Sequence, residues 1–367
     1  AGGVVAGRAA PGVPLRVAFL YTGQGSPSPE AGRELLAADA AFRETLERCA
    51  SILGTTPERL LDPDPVLAQP ALVSLQAALT AMWRARGVEP HAVCGHSLGE
   101  YAAAWAAGVL SLEDALALVA ERGRLMETLP DRGRMEAVFA GEDLARRALE
   151  RGVSIAAVNG PSEVVVSGEA AAVGRTLERL AALGIASRPI PAARAFHSEE
   201  VEPILDALAG AAARSAHAEP RLPLVSNLTG RRAGALGPAH WREHARRTVR
   251  FAESLEALAA LGCRAFVELG PRPALAPLAA RAFPEGEAVA VATLRPGRSE
   301  VRQALEVLAA LHVRGLDLIE TGARRRLVLP TYPFERERFW PGDRAEDLLG
   351  ARIAIAGRDE DRFETRL

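Results

Sequence analysis

Three observations predict an α/β protein: a large α/β-hydrolase-like domain with a parallel sheet, plus a small inserted ferredoxin-like α+β subdomain. First, short apolar runs at 16–21 and 91–94 each end in a glycine-containing turn and lead into helical periodicity, the alternation that builds a parallel sheet. Second, the turn after the second run is Gly95-His96-Ser97-Leu98-Gly99, a G-x-S-x-G pattern between a strand and a helix. Third, the pattern changes between 134 and 204, where four short apolar runs and two helical stretches alternate in the order βαββαβ.

Along the chain, residues 1–14 are rich in Gly, Pro and Ala and read as the end of a linker. The core is expected over 15–133 and 205–287. Its helices fall at 29–53, 71–86 and 102–110, with a fourth from the capping box at Ser111–Asp114 to about Met126. The small subdomain covers 134–204, with strands at 135–139, 155–158, 164–167 and 185–188 and helices at 142–151 and 169–183. Strands at 223–226 and 264–268 rejoin the first sheet. From 288 to 345 a helix-bearing connector is expected, and 346–367 reads as a tail or the start of another domain.

Composition narrows the class. With 49% hydrophobic and 25% charged residues, the 367-residue chain can bury a proper core, and aromatics at 5% leave that core to Ala, Leu and Val. A net charge of −2 and a pI near 6.5 give no basic footprint for nucleic acid, and with no lysine in the chain the positive charge is entirely arginine. Cys49, Cys94 and Cys263 are scattered and odd in number, which reads as free thiols in a reducing cytoplasm, with neither a disulfide framework nor a metal site. No apolar run of about 18 residues marks a membrane span. The first residue, Ala1, reads as a cut from something longer.

Chemistry centres on Ser97. Small residues on both sides let the chain turn sharply and lift the hydroxyl clear, and the following helix aims its first N–H groups where an oxyanion would form. The alternative is a glycine-rich turn with a surface serine. Seven histidines could supply a base: His91, His96, His197, His217, His240, His244 and His312. His96 is a poor partner, because neighbours on a tight turn point apart, and His197 stands where the chain returns from the small subdomain. A second signal is Arg122, on the apolar stripe of Ala115, Leu118, Val119, Leu125 and Met126. Arginine is rarely buried without an anion, so Arg122 either snorkels or grips a substrate carboxylate.

Together these residues resemble the acyltransferase family of polyketide and fatty acid synthases, the malonyl-CoA:acyl carrier protein transacylases. The likeness is carried by Gly23-Gln24-Gly25-Ser26, Gly95-His96-Ser97-Leu98-Gly99-Glu100, Arg122 lying 25 residues after Ser97, Ala195-Phe196-His197-Ser198, Ser226-Asn227-Leu228-Thr229-Gly230, Trp241 to Phe251 and Glu268-Leu269-Gly270-Pro271. The resemblance implies that Ser97 attacks the thioester, His197 moves the proton, and the N–H groups of Gln24 and Leu98 form the oxyanion hole. Arg122 would bind the malonyl carboxylate, with Phe196 and His96 also lining the substrate site and Phe196 crowding a C2 methyl. Main-chain carbonyls orient the histidine in this family, and the carbonyl near Arg250 is the expected one. No cofactor is held permanently: coenzyme A arrives as a thioester, and the phosphopantetheine belongs to the partner carrier protein. Two positions depart from the pattern, Arg194 where the family has the histidine of HAFH, and Pro27 after GQGS.

Residues 329–334, Leu-Pro-Thr-Tyr-Pro-Phe, up to Trp340 resemble the linker behind acyltransferases embedded in multidomain synthases. This implies an adjacent ketosynthase and downstream domains, with Leu348-Leu349-Gly350 resembling the start of a dehydratase. Two other functions share some of these features. A thioesterase or editing hydrolase would use the same Ser–His pair with water as acceptor; the rate ratio between carrier protein and water separates it. A non-catalytic scaffold for carrier proteins would form no acyl-serine. Arginines within 231–250 either meet the acidic carrier protein and coenzyme A phosphates or make a solvated face.

Overall fold

The structure is a computed structural model that describes residues 14–25, 30–191 and 194–317 and the backbone of 351–353 and 362–364. The chain divides into two units, 1–320 and 321–367. In chain order the first unit holds β1 (Val17–Tyr21), α1 (Arg33–Ala38), α2 (Ala40–Ile52), α3 (Pro57–Leu61), α4 (Ala68–Ala85), β2 (Ala92–Gly95), α5 (Gly99–Ala106) and α6 (Leu112–Glu127). β3 (Gly133–Val138), α7 (Glu142–Ala148), β4 (Ser154–Gly160), β5 (Glu163–Glu169), α8 (Ala170–Ala182) and β6 (Ser187–Ile190) follow. After a 3₁₀ turn at Glu199–Ile204 come α9 (Leu205–Ala212), β7 (Leu224–Ser226), β8 (Arg231–Arg232), α10 (Pro238–Arg246), β9 (Val249–Arg250) and α11 (Phe251–Ala260). β10 (Ala265–Leu269), α12 (Ala276–Ala282), β11 (Val289–Ala292) and α13 (Glu300–His312) complete it. In the second unit, 351–353 pairs antiparallel with 362–364.

Two sheets carry the first unit. The larger has the order β11-β10-β1-β2-β7-β8, parallel throughout except for β8. All five residues of β1 are buried, as a central parallel strand covered on both faces requires. The smaller sheet has the order β6-β3-β5-β4-β9, and its first four strands are antiparallel neighbours in the expected ferredoxin-like arrangement. Its fifth strand was not foreseen: β9 comes from chain beyond 205 and pairs parallel to β4, Ala157 opposite Val249. A short strand from the chain that follows the insert thus completes the smaller sheet.

Other elements differ from expectation for local reasons. The helix expected over 29–53 is broken at Asp39, whose extended backbone ends α1 and whose carboxylate caps α2 by accepting from Phe42 N at 2.8 Å. Ser111 caps α6 as its sequence predicts, accepting from Asp114 N at 2.9 Å. The largest difference lies after 287. β11 adds to the main sheet beside β10, and α13 buries Ala304, Val307 and Leu311, so 289–312 is part of the body and not a connector. The carboxylate of Glu300 accepts from Gly32 N at 2.6 Å and Leu35 N at 3.1 Å, while Glu34 accepts from Glu300 N at 2.5 Å. α1 and α13 thus cap each other. Pro27, the 329–340 motif and Leu348-Leu349-Gly350 lie outside the described residues. Cys49, Cys94 and Cys263 are free and buried. Among the described residues no helix is long and apolar enough to cross a membrane.

Candidate active site

β2 ends at Gly95 and α5 begins at Gly99, which leaves three residues for the reversal. Ser97 takes a left-handed backbone, φ 49°, the strained conformation of a residue pushed out of a sharp turn. Both glycines are sterically required. A Cβ on Gly95 would come within 2.1 Å of Glu100 N, and one on Gly99 within 2.1 Å of Tyr21 O. Behind the turn, His96 N donates to Tyr21 O at 2.8 Å, so the elbow is pinned to the central strand.

Ser97 Oγ lies 2.6 Å from His197 Nε2, a residue 100 positions away that also has positive φ, 58°. His197 Nδ1 is 2.9 Å from the carbonyl oxygen of Arg247, the residue that follows α10. Nδ1 therefore carries the proton, and Nε2 is free to accept from the serine hydroxyl. The carbonyl is not that of Arg250, as the sequence reading expected. Arg250 ends β9 just before α11, and its carbonyl accepts from Ser254 Oγ at 2.7 Å, while its guanidinium pairs with Glu142 and Glu253. The Arg247 carbonyl takes the place that a carboxylate holds beside the histidine of a Ser-His-Asp triad. Burial, followed by the nearby Arg122 charge, pushes the His197 pKa down to about 3, so the imidazole is neutral near neutral pH.

Arg122 is buried on α6, and its Nη1 donates to Gln69 Oε1 at 2.6 Å. Its Nε is buried with no acceptor, and no carboxylate pairs with it among the described residues. Burial lowers its pKa. Gln69 also donates to Gln24 Oε1 at 3.2 Å. Gln24, Gln69, His96, Ser97, Leu98, Arg122, Phe196 and His197 all line one cavity of about 470 Å³. The two expected oxyanion-hole residues thus sit in the same chamber as the serine. His96 lines it too, but its Nε2 is engaged by Asn159 Oδ1 at 2.9 Å, which ties the elbow to the end of β4.

One group escaped the sequence reading. Glu100 is fully buried, and its carboxylate accepts from Ser226 Oγ at 2.9 Å, Asn227 N at 2.7 Å and His240 Nε2 at 2.8 Å. Asn227 Nδ2 in turn donates to Gly95 O at 2.8 Å. A charged residue in the apolar run Gly-Glu-Tyr-Ala-Ala-Ala-Trp-Ala was the available signal, the same one that picked out Arg122. Glu100→Ala removes an acceptor shared by two buried donors and the half-buried His240, and is expected to cost about 3–5 kcal/mol of stability, measured by urea denaturation.

Residues 18–318 match the profile of the acyl transferase domain. The chain belongs to the acyl transferase domain family. It is 39% identical over 372 residues to the phenolphthiocerol synthesis polyketide synthase type I Pks15/1 of Mycobacterium marinum, covering 95% of this chain and 18% of that protein. It spans less than a quarter of the length of the first such relatives. Among solved structures, the acyltransferase domain from the second module of the salinomycin polyketide synthase superposes with a TM-score of 0.80 at 42% identity, covering 83% of this chain and 75% of that one. The malonyl-CoA:acyl carrier protein transacylase of Xanthomonas oryzae gives a TM-score of 0.70 at 30% identity, covering 79% of this chain and 97% of that one. This acyltransferase domain therefore has the fold expected from its sequence, a hydrolase-like body with a ferredoxin-like insert.

Proposed function

We propose that this acyltransferase domain moves a malonyl-type extender unit from coenzyme A, through an ester on Ser97, to the phosphopantetheine thiol of an acyl carrier protein in polyketide biosynthesis. The observation that carries the reading is Arg122, a buried guanidinium with a neutral amide as its protein partner, facing the cavity that holds Ser97. A buried cation without its anion is costly, and a substrate with a free carboxylate supplies that anion as a bidentate partner. The solved relatives named for polyketide acyltransfer and for malonyl transfer support the same substrate class.

The Ser97–His197 geometry supports the following steps. Ser97 Oγ attacks the thioester carbonyl carbon while His197 Nε2 takes the hydroxyl proton. The oxyanion sits against the N–H groups of Gln24 and Leu98. The C–S bond breaks, and His197 returns the proton to the departing sulfur of coenzyme A. The carrier thiol then gives its proton to His197 and attacks the ester, and Ser97 leaves with that proton. Two displacements through one ester give ping-pong kinetics. The Arg247 carbonyl holds the imidazole in register through both halves and stabilises its charged form. Phe196, half-buried in the wall beside His197, selects against a C2 methyl.

Intact-protein mass spectrometry after brief incubation with malonyl-, methylmalonyl- and acetyl-CoA tests this. A malonyl ester is expected, mapped by proteolysis to the peptide holding Ser97, with methylmalonyl slower and acetyl slower still. No adduct from any of the three, with or without thioester hydrolysis, would overturn the reading; equal loading of methylmalonyl would overturn the role of Phe196 alone.

A further inference from the structure

The mechanism gives no part to Arg194, the residue that departs from the family pattern two positions before Phe196. Its Nη2 lies 3.0 Å from Glu127 Oε2, with the side chains 19% and 36% exposed, and 3.4 Å from the Glu127 carbonyl. Its Nε is buried and has no acceptor among the described residues. The backbone here is tightly held, since a Cβ on Gly133 would fall 2.2 Å from Ala195 N and 2.5 Å from Arg194 C. Arg194 and Glu127 both line the cavity that contains Ser97 and Arg122. Glu127 ends α6, five residues beyond Arg122, so the two stand about 7.5 Å apart along the helix axis.

That placement sets an electrostatic problem. A carboxylate entering to meet Arg122 approaches an anion on the same helix, and Glu127 would both repel it and compete for the guanidinium. Arg194, reaching over from the loop that carries Phe196 and His197, cancels Glu127 without touching the acyl group. The other carboxylate at the cavity, Asp62, lies with its side chain 67% exposed, within 3.7 Å of Arg33. We infer that Arg194 is a specificity-determining residue, whose ion pair with Glu127 keeps the cavity cationic and so favours carboxylated over uncarboxylated acyl thioesters. This rests on the malonyl reading above.

The test compares kcat/KM for malonyl and acetyl thioesters of N-acetylcysteamine, which lack the coenzyme A phosphates, in the 367-residue chain and its Arg194→Met, Glu127→Gln and doubly substituted forms. Arg194→Met is expected to lower the malonyl-to-acetyl ratio about five- to tenfold, through KM and more strongly at low salt. Glu127→Gln in that background restores the ratio to within about twofold, and Glu127→Gln alone raises it or leaves it level, which keeps the idea testable if Arg194→Met does not fold. Equal loss on both thioesters with no rescue in the double variant would make Arg194 a purely structural residue and overturn the inference. Absence of a malonyl ester on the unsubstituted chain would remove the malonyl reading and this inference together; a normal ester with an unmoved ratio would remove this inference alone.

Discussion

Arg122→Ala is expected to lower kcat/KM for malonyl-CoA by about 10²–10³-fold while the rate with acetyl-CoA holds or rises. Losing the partner of a buried charge costs roughly 3–5 kcal/mol, which sets the scale of the loss for the carboxylated substrate. Acetyl-CoA supplies no anion, so in the unsubstituted protein it leaves Arg122 uncompensated, and removing the guanidinium removes that penalty. Steady-state rates with both thioesters, read as a ratio, check it. A ratio that does not move would mean that the malonyl carboxylate lies elsewhere, and Gln69 would then be holding Arg122 for structural reasons.

His197→Ala is expected to slow formation of the acyl-serine by about 10³–10⁴-fold, the contribution of a positioned general base. The pH profile distinguishes the base from a packing residue. Because the imidazole's pKa in the fold is pushed down to about 3, the acid limb of kcat/KM should lie far below the ordinary histidine value of 6.5. Arg122 is the second cause of that depression, so Arg122→Ala should shift the limb upward. Stability carries the matching sign. A group that binds its proton more weakly folded than unfolded leaves stability intact above 6.5 and erodes it as pH falls from there towards 3. A limb near 6.5 in the unsubstituted protein would contradict this account of His197's surroundings.

Much of this was legible because it depends on local geometry. Gly95 is required by contacts with Gly99 and Glu100 a few residues away, and Ser111 caps its own helix, so pattern alone finds them. Gly99 is required by Tyr21 on the distant β1 and is legible only because it completes the same pentapeptide. The buried arginine was legible because α6 has an apolar stripe and one residue on it is charged. Less legible were features held by distant partners. The Arg247 carbonyl has no side-chain signature, so sequence could narrow the histidine's support only to a neighbourhood. The buried cluster at Glu100 joins residues 126 to 140 positions apart. β11 and α13 read as a connector because an ordinary amphipathic helix after a short apolar run does not announce which sheet it joins, and β9, at two residues, is too short to carry a period. Arg194 reads in sequence only as a departure from the family pattern, because its partner Glu127 lies 67 positions away.

The strand order of the larger sheet has a consequence for how the chain is made. β1 is central, with β2 on one edge and β10 on the other, and its pairing with β10 joins residues about 250 apart. During synthesis at about 5–20 residues per second, one edge of a wholly apolar strand waits roughly 12–50 seconds for its partner. Such a strand is a hazard while it waits, since an uncovered apolar edge invites pairing with other chains. Late closure also makes folding slow, because the loop must be closed before the pairing stabilises it. Ribosome-bound chains stalled before Ala265 should therefore be cut readily by protease around β1, and chains stalled well beyond His312 should resist; equal resistance in both would show that the body closes without its last strands.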